Sequence, residues 1–335
     1  MSEVIWPVEE ARAHVRAAFE ACRTSRGNAE AVADALVRAE LDGIPSHGLS
    51  RVPANAAQAR AGKVDGFATP EVTRPMPGTV CVDAATGFAY PALRAGLPVL
   101  AQAAREQGVA AGAIGNSHHA GVLGHIVEDL AAQGLVAIAM SNTPAAIAPW
   151  GGRRGLFGTN PIAFATPLPN RAPLVVDLSL SRVARGKIMM AAAKGEAIPD
   201  TWAFDAEGKP ATDAKAALAG TMAPMGDAKG AQLVLMVELL STMLTGAHFA
   251  FQASSMFDDK GGPPRLGQFI LAILPGGFGN AGALEHAGRL VVEMEGEEGV
   301  RLPGSRRIAE RQRIMREGIR LDETLASSIR ALGSR

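Results

Sequence analysis

The stretch from residue 161 to residue 178 limits the fold of this chain more than any other feature. Two short apolar runs, 161–166 and 174–178, are separated by a segment rich in turn-forming residues, namely Pro167, Pro169, Asn170 and Pro173. This pattern predicts a hairpin, in which two strands run antiparallel as neighbours in one sheet. The chain therefore contains at least one antiparallel strand pair.

Helices and short strands surround this hairpin. Before about residue 65 apolar residues recur at spacings of three and four, which predicts helices only: one opened by Pro7, a second capped by Asn28, and a short third after Arg51 that ends near Gly62. Beyond residue 65 we expect strands at 79–82, 109–114, 135–141 and 268–274, and helices at 91–107, 123–133, 184–193 and 231–244. From about Ile308 the chain is charged and helical.

Composition argues against several classes of protein. Lys and Arg together number 33, as do Asp and Glu, so the net charge is zero and no basic surface for nucleic acid is predicted. Cys22 and Cys81 lie in apolar patterns typical of small core residues, which fits a reducing compartment. The N-terminus lacks the pattern of a signal peptide. The apolar segment 230–251 includes Glu238, so we expect a buried helix there, no membrane partner and a cytoplasmic protein.

A glycine motif near the C-terminus resembles the dinucleotide-binding fingerprint but lacks its context. Gly277, Gly279 and Gly282 match G-x-G-x-x-G after a predicted strand. A Rossmann site needs a second, parallel strand, and the crossover to it takes at least about ten to twelve residues. The run 290–295 could be a strand, but it starts too soon after Gly282. We therefore interpret the motif as a glycine-rich loop.

One cluster of polar residues suggests proton transfer. Ser46 and His47 are adjacent, and Arg51 follows four residues after the histidine. A hydroxyl can orient an imidazole that exchanges protons near neutral pH, and an arginine can hold a carboxylate through two hydrogen bonds. The same Ser-His pair also occurs in ordinary capped turns. A hydrolase in which Ser46 and His47 act as nucleophile and base is a further alternative, although neighbouring residues rarely serve together in that way.

Other clusters suggest sites for anionic ligands. Residues 116–119 (Asn-Ser-His-His) lie between a strand and a helix, where backbone N–H groups favour phosphate. Together with His125 they could instead suggest a metal, but adjacent histidines rarely ligate one ion well, so we predict none. Lys229, beside Gly230, opens the long apolar helix and is either a phosphate ligand or a solvated cap. Polar groups at 158–160 and 177–179 lie at strand ends, where ligands gather.

Taken together in chain order, these pieces resemble the malate/L-lactate dehydrogenase family that is unrelated to the Rossmann-type lactate and malate dehydrogenases. Each piece is short, but the ordered set runs over nearly the whole chain. Within the family the chain looks most similar to the (2R)-3-sulfolactate and malate dehydrogenases, and next to the piperideine/pyrroline-2-carboxylate reductases. The matching segments are 43–48 with Arg51, 116–119, 156–161, 177–179, 228–230, and 301–304 with Arg306 and Arg307.

The resemblance implies an architecture. The fold would be α/β (α+β), with a non-Rossmann NAD(P)-binding fold built on a largely antiparallel sheet, which agrees with the hairpin at 161–178. Residues 71–299 would form the NAD(P)- and substrate-binding α/β region. Residues 1–70 would form an N-terminal helical segment that packs with the C-terminal helices of residues 300–335. The resemblance also implies a homodimer.

The resemblance further implies an activity and residue roles. The chain would be an NAD(P)-dependent oxidoreductase that interconverts a small 2-oxo acid and a 2-hydroxy acid of the malate or sulfolactate type. The cofactor would be NAD or NADP, with NADPH slightly favoured. His47 would be the proton donor, supported by Ser46, and Arg51 and Thr159 would hold the substrate. The dinucleotide would be bound by His119, Ala120, Gly121, Val122, Leu123, Asp177, Leu178, Ser179, Ala228, Lys229, Pro303, Gly304 and Arg306.

Lys187 departs from part of the family pattern. In the cyclic-imine reductases an aspartate, which serves a Ser-His-Asp relay, follows the glycine where this chain has Lys187. A lysine cannot orient an imidazole as a carboxylate does, and it would instead favour an anionic substrate. We therefore expect Lys187 in the catalytic site, with Arg185 and Gly186 at the substrate. A second departure is Ala228, where some members have histidine.

Three alternatives remain open at this stage. Lys187 could simply begin a helix and face solvent. The reaction could be the NADPH-dependent reduction of a cyclic imine such as Δ1-piperideine-2-carboxylate or Δ1-pyrroline-2-carboxylate. The chain could also bind NAD(P) without turnover, although the presence of both His47 and Arg51 argues against that.

Overall fold

The computed structural model describes residues 2–334. Apolar side chains that recur every three to four residues are buried along its first two helices, as the periodicity predicts. The N-terminal part consists of β1 (Glu3–Trp6), α1 (Val8–Glu20), α2 (Arg26–Leu41) and α3 (Val52–Ala61). Two short 3₁₀ turns, Pro45–His47 and Leu49–Arg51, connect α2 to α3.

A seven-stranded sheet forms the centre of the molecule. Chain order gives β2 (Glu71–Met76), β3 (Thr79–Asp83), α4 (Ala89–Gln107), β4 (Val109–Ser117), α5 (Leu123–Ala131), β5 (Val136–Ser141), β6 (Ile162–Leu168) and β7 (Arg171–Leu178). The last strand to join is β10 (Leu266–Ile273), and the spatial order is β2-β3-β4-β10-β5-β6-β7. Strands β3 and β4 run parallel, whereas every other neighbouring pair runs antiparallel. The prediction of a mixed α/β fold with a largely antiparallel sheet is confirmed.

Helices cover both faces of this sheet. Between β7 and β10 lie α6 (Arg185–Lys194), β8 (Ala203–Phe204), α7 (Ala214–Ala219), β9 (Thr221–Met222) and α8 (Asp227–Met243). Ile270 and Ala272 of β10 pack in one core with α4 and α5. Successive side chains alternate between faces, and a Cβ at Gly267 would lie 1.9 Å from the Ser241 carbonyl oxygen of α8. Helix α8 therefore lies against the opposite face.

The two ends of the chain share a hydrophobic core. The C-terminal elements are α9 (Ala283–Gly296), α10 (Ser305–Glu317), β11 (Ile319–Asp322) and α11 (Glu323–Gly333). Strand β11 pairs antiparallel with β1. Buried side chains from α1, α2 and α3 form one cluster with Ile314, Leu321 and Ile329. The domain boundaries at residues 70 and 299 stay a prediction.

Two local predictions were wrong, each for a physical reason. Strand β1 interrupts the expected helical region because its partner β11 lies at the other end of the chain, beyond any local pattern. Ser25, not Asn28, caps α2, since the Ser25 hydroxyl accepts from Asn28 N (3.4 Å). The Asn28 side chain instead donates to the carbonyls of Gly66 and Ala68. Residues 290–295, an apolar run that could also have formed a strand, lie within α9, since short apolar runs do not distinguish strand from helix.

The hairpin at 161–178 is present, with a tighter turn than expected. Strand β6 ends at Leu168 and β7 begins at Arg171, so Pro167 and Pro173 lie inside strands. The register shifts between Thr166 and Leu168, and such an irregularity accommodates Pro167. Strand β7 is the edge of the sheet, where one side of the backbone needs no hydrogen bond, so Pro173 is tolerated.

Two further sequence interpretations concern α8 and the glycine motif. No helix among residues 2–334 is long and apolar enough to cross a membrane. Gly277, Gly279 and Gly282 lie between β10 and α9. Strand β10 pairs antiparallel with both of its neighbours, so these glycines belong to no β-α-β unit in the described chain.

Candidate active site

Most of the candidate residues lie at one end of the strands of the central sheet. Registers place Ser117 opposite Leu266, and Ser141 opposite Gln268. At the same end of the neighbouring strands, Met140 pairs with Ile162, and Ile162 pairs with Leu178. The segments that follow β4, β5 and β7 and those that precede β6 and β10 therefore meet here. The predicted residues at 119–123, 159 and 177–179 lie in these segments or at the adjoining ends of α5 and β7.

The proton-donor candidate stands on the 3₁₀ turn Pro45–His47. Nδ1 of His47 lies 3.0 Å from the Ser46 hydroxyl, and its ring is tilted against that of His119 with centroids 5.2 Å apart. When Nδ1–H donates to the Ser46 hydroxyl, Nε2 is the nitrogen that gains or loses a proton. Burial, followed by the positive charge of Arg51, lowers the pKa of His47 to about 4. The turn thus presents an imidazole that holds a proton weakly.

Arg51 ends the second 3₁₀ turn beside this imidazole. Its Nε donates to the Ser46 carbonyl oxygen (2.7 Å), and its guanidinium carbon lies 4.8 Å from the centroid of the Phe257 ring. Among residues 2–334 its two terminal nitrogens have no hydrogen-bond partner and no ion pair. The guanidinium therefore retains the two parallel donors that recognise a carboxylate.

Gly48 shows why the turn has this sequence. An added Cβ there would lie 2.5 Å from a carboxylate oxygen of Glu40 in α2. The same Glu40 oxygen accepts from Leu49 N (2.7 Å), which holds the second 3₁₀ turn against α2. Burial raises the pKa of Glu40, so this hydrogen bond is made by a carboxyl group that ionises reluctantly.

The two adjacent histidines have different surroundings. His118 is buried, its Nε2 donates to Gln58 Oε1 (2.9 Å), and its Nδ1 has no partner. Burial, with a contribution from Lys63, lowers the pKa of His118 to about 3. Burial also keeps the pKa of His119 well below its usual value. His118 therefore acts as a neutral link within the core, and His119 alone faces the ring of His47.

A buried ionic cluster lies behind these loops. Asp42, at the end of α2, accepts from His125 Nε2 (2.9 Å) and from Arg311 Nε (2.6 Å). Burial would raise the pKa of Asp42, but the hydrogen bonds from His125 and Arg311 outweigh it and lower the value to about 2. Arg311 also donates to Glu128 (2.9 Å), and Arg307 lies within 3.4 Å of both carboxylates. The cluster joins α2, α5 and α10.

The predicted dinucleotide residues converge on the start of α5. Asp177 accepts from Gly124 N (2.8 Å), and a Cβ at Gly124 would lie 2.7 Å from Arg307 Nη1. Gly121 has a positive φ of 70°, and a Cβ there would approach the Tyr90 hydroxyl to 2.9 Å. Gly304, also with positive φ, begins α10 against the backbone of Val175. Residues 120–123, 177–179 and 303–306 thus form one neighbourhood.

Lys229 lies in the first turn of α8 and is exposed. The helix starts at Gly226 without a side-chain cap, so its first N–H groups are available to an anion. A Cβ at Gly230 would lie 1.5 Å from the Met225 carbonyl oxygen, so glycine is required there. The hydrogen bond from Met225 N to Leu180 O (2.8 Å) brings this turn to the end of β7.

The remaining substrate candidates are Thr159, which precedes β6, and residues 185–187, which begin α6. Thr159 N donates to Thr143 Oγ1 (2.9 Å), and the Thr159 carbonyl accepts from Leu180 N. These bonds hold Thr159 at the same end of the sheet as the other candidates. Arg185, Gly186 and Lys187 form the first turn of α6, where Lys187 is exposed. Within residues 2–334 no hydrogen bond or ion pair joins Lys187 to His47, and its role stays a prediction.

Several residues around the site carry no local sequence signal. Asp42, Gln58, Lys63, Tyr90 and Phe257 are polar or aromatic residues within ordinary patterns. Their partners lie about 30 to 200 positions away, as for Gln58 with the Met256 carbonyl oxygen. Within the described residues no three His, Cys, Asp or Glu side chains are arranged to hold a metal ion.

The chain is similar to known proteins both in sequence and in fold. The sequence profile of the malate/L-lactate dehydrogenase family matches residues 6–330. A (2R)-3-sulfolactate dehydrogenase (NADP(+)) from Chromohalobacter salexigens is 53% identical over 99% of this chain and 98% of its own. A Δ1-pyrroline-2-carboxylate/Δ1-piperideine-2-carboxylate reductase from Pseudomonas putida is 39% identical over 97% and 96%. The crystal structure of Δ1-piperideine-2-carboxylate reductase from Pseudomonas syringae pathovar tomato superposes with a TM-score of 0.93 at 36% identity, covering 98% of this chain and 99% of that one.

Proposed function

The chain belongs to the malate/L-lactate dehydrogenase family, whose members are oxidoreductases, and on that premise we propose that it interconverts 3-sulfopyruvate and (2R)-3-sulfolactate with NADP. Oxaloacetate and malate are the carboxylate counterparts of this pair. The single observation that carries the proposal is the pairing of an imidazole and a guanidinium on two consecutive short turns. His47 and Arg51 offer a proton and a carboxylate clamp side by side, as a 2-oxo acid requires.

In the proposed reaction each polar group of these two turns has a role. When bound, the reduced nicotinamide supplies hydride to the carbonyl carbon of the 2-oxo acid. The terminal nitrogens of Arg51 hold the C1 carboxylate and so orient the carbonyl. Nε2 of His47 gives its proton to the carbonyl oxygen as negative charge develops there. Ser46 keeps the imidazole oriented through its hydrogen bond to Nδ1.

The depressed pKa of His47 is compatible with this role. Part of the depression comes from the positive charge of Arg51, and a bound carboxylate compensates that charge. Substrate binding thereby raises the affinity of His47 for a proton just before the proton is needed. In the reverse direction the neutral imidazole of the free protein is the form that accepts the hydroxyl proton.

The residues at this end of the central sheet are suited to binding a dinucleotide. Helices α8 and α10 begin without side-chain caps, so their N–H groups can meet phosphate oxygens, with Lys229 and Arg306 exposed nearby in sequence. Asp177 uses one carboxylate oxygen on Gly124 N, and the other is available to a ribose hydroxyl. The non-Rossmann character of this fold belongs to the proposal, and the mostly antiparallel sheet supports it.

The proposal includes a cytoplasmic homodimer. Helix α8 presents an apolar stripe to the outside, in which Leu235, Met236, Leu239 and Met243 are between 40% and 65% exposed. The spacings of three and four residues put these side chains on one face of the helix. A patch of this kind is typical of an interface, and a second copy of the chain would cover it. Sedimentation at several protein concentrations tests this part.

One assay tests the activity. The purified protein is mixed with NADPH or NADH and with 3-sulfopyruvate, oxaloacetate, pyruvate or Δ1-piperideine-2-carboxylate, and loss of the reduced nicotinamide absorbance is followed. We expect the largest kcat/KM with 3-sulfopyruvate and NADPH. A larger value with the cyclic imine would instead indicate a reductase of cyclic imines, which is the activity named for the relatives from Pseudomonas.

A further inference from the structure

The loop between α8 and β10 carries an aromatic ring onto the substrate-binding arginine. We call residues 252–262 the Phe257 loop. The ring of Phe257 lies 4.8 Å from the guanidinium carbon of Arg51, a distance at which a cation is attracted to the face of an aromatic ring. Arg51 Nε already donates to the Ser46 carbonyl oxygen. The guanidinium is therefore held by two contacts that leave its terminal nitrogens free.

A buried lysine fixes the shape of this loop. The ammonium group of Lys63 donates to the carbonyl oxygens of Ser255 (2.6 Å), Asp258 (3.1 Å) and Lys260 (2.6 Å). An ammonium has three donors, so all of them are spent on one loop. Lys63 is only 2% exposed, and a buried charge is costly unless its hydrogen bonds are made. The burial of Lys63 and the conformation of the loop thus stabilise each other.

A second anchor ties the Phe257 loop to the histidines. The side chain of Gln58 is fully buried; its Nε2 donates to the Met256 carbonyl oxygen (3.0 Å), and its Oε1 accepts from His118 Nε2 (2.9 Å). Met256 precedes Phe257, and His118 precedes His119, whose ring lies against His47. The Phe257 loop is thereby held in a fixed position relative to both Arg51 and His47.

We propose that Phe257 is a positioning residue for Arg51, held in place by the clamp of Lys63 on the Phe257 loop. The inference rests on the proposed function, because it requires Arg51 to bind the carboxylate of a 2-oxo acid. A guanidinium fixed before binding loses less freedom when the carboxylate arrives, so the ring strengthens substrate binding without touching the cofactor. A cation–π contact contributes enough to change affinity by about threefold to thirtyfold.

The variant Phe257→Leu tests this role, with Phe278→Leu as the matched control because Phe278 is 69% exposed beyond the far end of β10. We expect Phe257→Leu to raise the KM for 3-sulfopyruvate about threefold to thirtyfold, with kcat and the Kd for NADPH changed less than about threefold. The control should match the wild type. An unchanged KM, or a Kd for NADPH that rises as much as the KM, would overturn the inference.

The same assay distinguishes failure of the inference from failure of the proposed function. A wild-type protein that reduces no 2-oxo acid overturns both. A wild-type protein that does so, paired with an unaffected Phe257→Leu variant, overturns only the role of Phe257.

Lys63→Met tests the clamp. We expect it to reproduce the rise in KM and to speed amide hydrogen exchange in residues 255–260. The double variant with Phe257→Leu should be no worse than the more affected single variant, because both changes remove one interaction. Should Lys63→Met fail to fold, Lys63→Arg, which retains the charge but alters the donor geometry, takes its place. A wild-type KM in a folded Lys63 variant, or additive effects, would overturn the clamp.

Discussion

His125 donates a hydrogen bond of 2.9 Å from Nε2 to the carboxylate of Asp42, and this bond joins the start of α5 to the end of α2. Asp42 precedes the 3₁₀ turn that carries His47, and His125 follows the segment that contains His119. Arg311 of α10 binds the same carboxylate through two nitrogens, at 2.6 Å and 3.0 Å. One buried anion thereby connects the end of α2, the start of α5 and α10.

Asp42→Asn should lower the free energy of unfolding by about 3 kcal/mol at pH 7, because it removes one of the two carboxylates that compensate the charges of Arg307 and Arg311. Urea unfolding measures the change, with the exposed Asp200→Asn as control. Since folding lowers the pKa of Asp42 from 3.8 to about 2, its stabilisation is present above pH 4 and is lost as pH falls towards 2. The two proteins should converge over that interval, and a constant difference would contradict this explanation.

His47→Ala should reduce kcat about a hundred- to ten-thousandfold, because the variant lacks the imidazole that we propose as proton donor to the carbonyl oxygen. The Kd for NADPH, measured by fluorescence, should change less than threefold. His286→Ala, which alters an exposed histidine of α9, should behave as wild type. A loss of kcat below tenfold would rule out His47 as the sole proton donor.

The pH dependence of the two directions should differ. Reduction needs protonated His47, whose pKa is lowered to about 4, so kcat/KM for reduction should fall about tenfold per pH unit above that value. Oxidation needs the neutral form, so its kcat/KM should stay level over the same range. The profile of kcat for reduction should show a higher pKa, because bound carboxylate offsets the charge of Arg51. Equal pKa values in kcat and kcat/KM would refute that compensation.

Lys229→Ala should raise the Kd for NADPH about ten- to a hundredfold, the value of a charge-assisted hydrogen bond to phosphate. The exposed Lys215→Ala of α7 provides a control of equal charge change. The salt dependence of binding should also weaken in the Lys229 variant alone. If instead the KM for the 2-oxo acid rises while the Kd for NADPH is unchanged, Lys229 belongs to the substrate and not to the dinucleotide.

Lys187→Met should compress the ratio of kcat/KM for 3-sulfopyruvate to that for pyruvate by about ten- to a hundredfold, with pyruvate nearly unaffected. The physical reason is a charge-assisted contact from the ammonium to the second anionic group of the substrate. Lys194→Met, at the other end of α6, is the matched control. A proportional fall with both substrates would indicate a structural or catalytic role, and no change would identify Lys187 as a surface residue.

Local chemistry made much of the fold predictable. The predicted start of α1 and both predicted ends of α3 lie within about one residue of those in the structure, since local sequence signals act on consecutive residues. The hairpin of β6 and β7 follows from turn-forming residues between two apolar runs. Ser46, His47 and Arg51 could be named together because four residues of chain bring them onto adjacent turns.

Tertiary structure decided what depends on distant partners. The pairing of β1 with β11, the placement of β10 between β4 and β5, and the burial of Lys63 under three carbonyl oxygens all join segments far apart in the chain. The sequence alone determined which side chains can exchange a proton, hold a carboxylate or meet a phosphate. Only the folded chain determined which of them are buried next to one another, because burial and neighbouring charge, which set the pKa of His47 and of Asp42, exist only after distant segments have packed together.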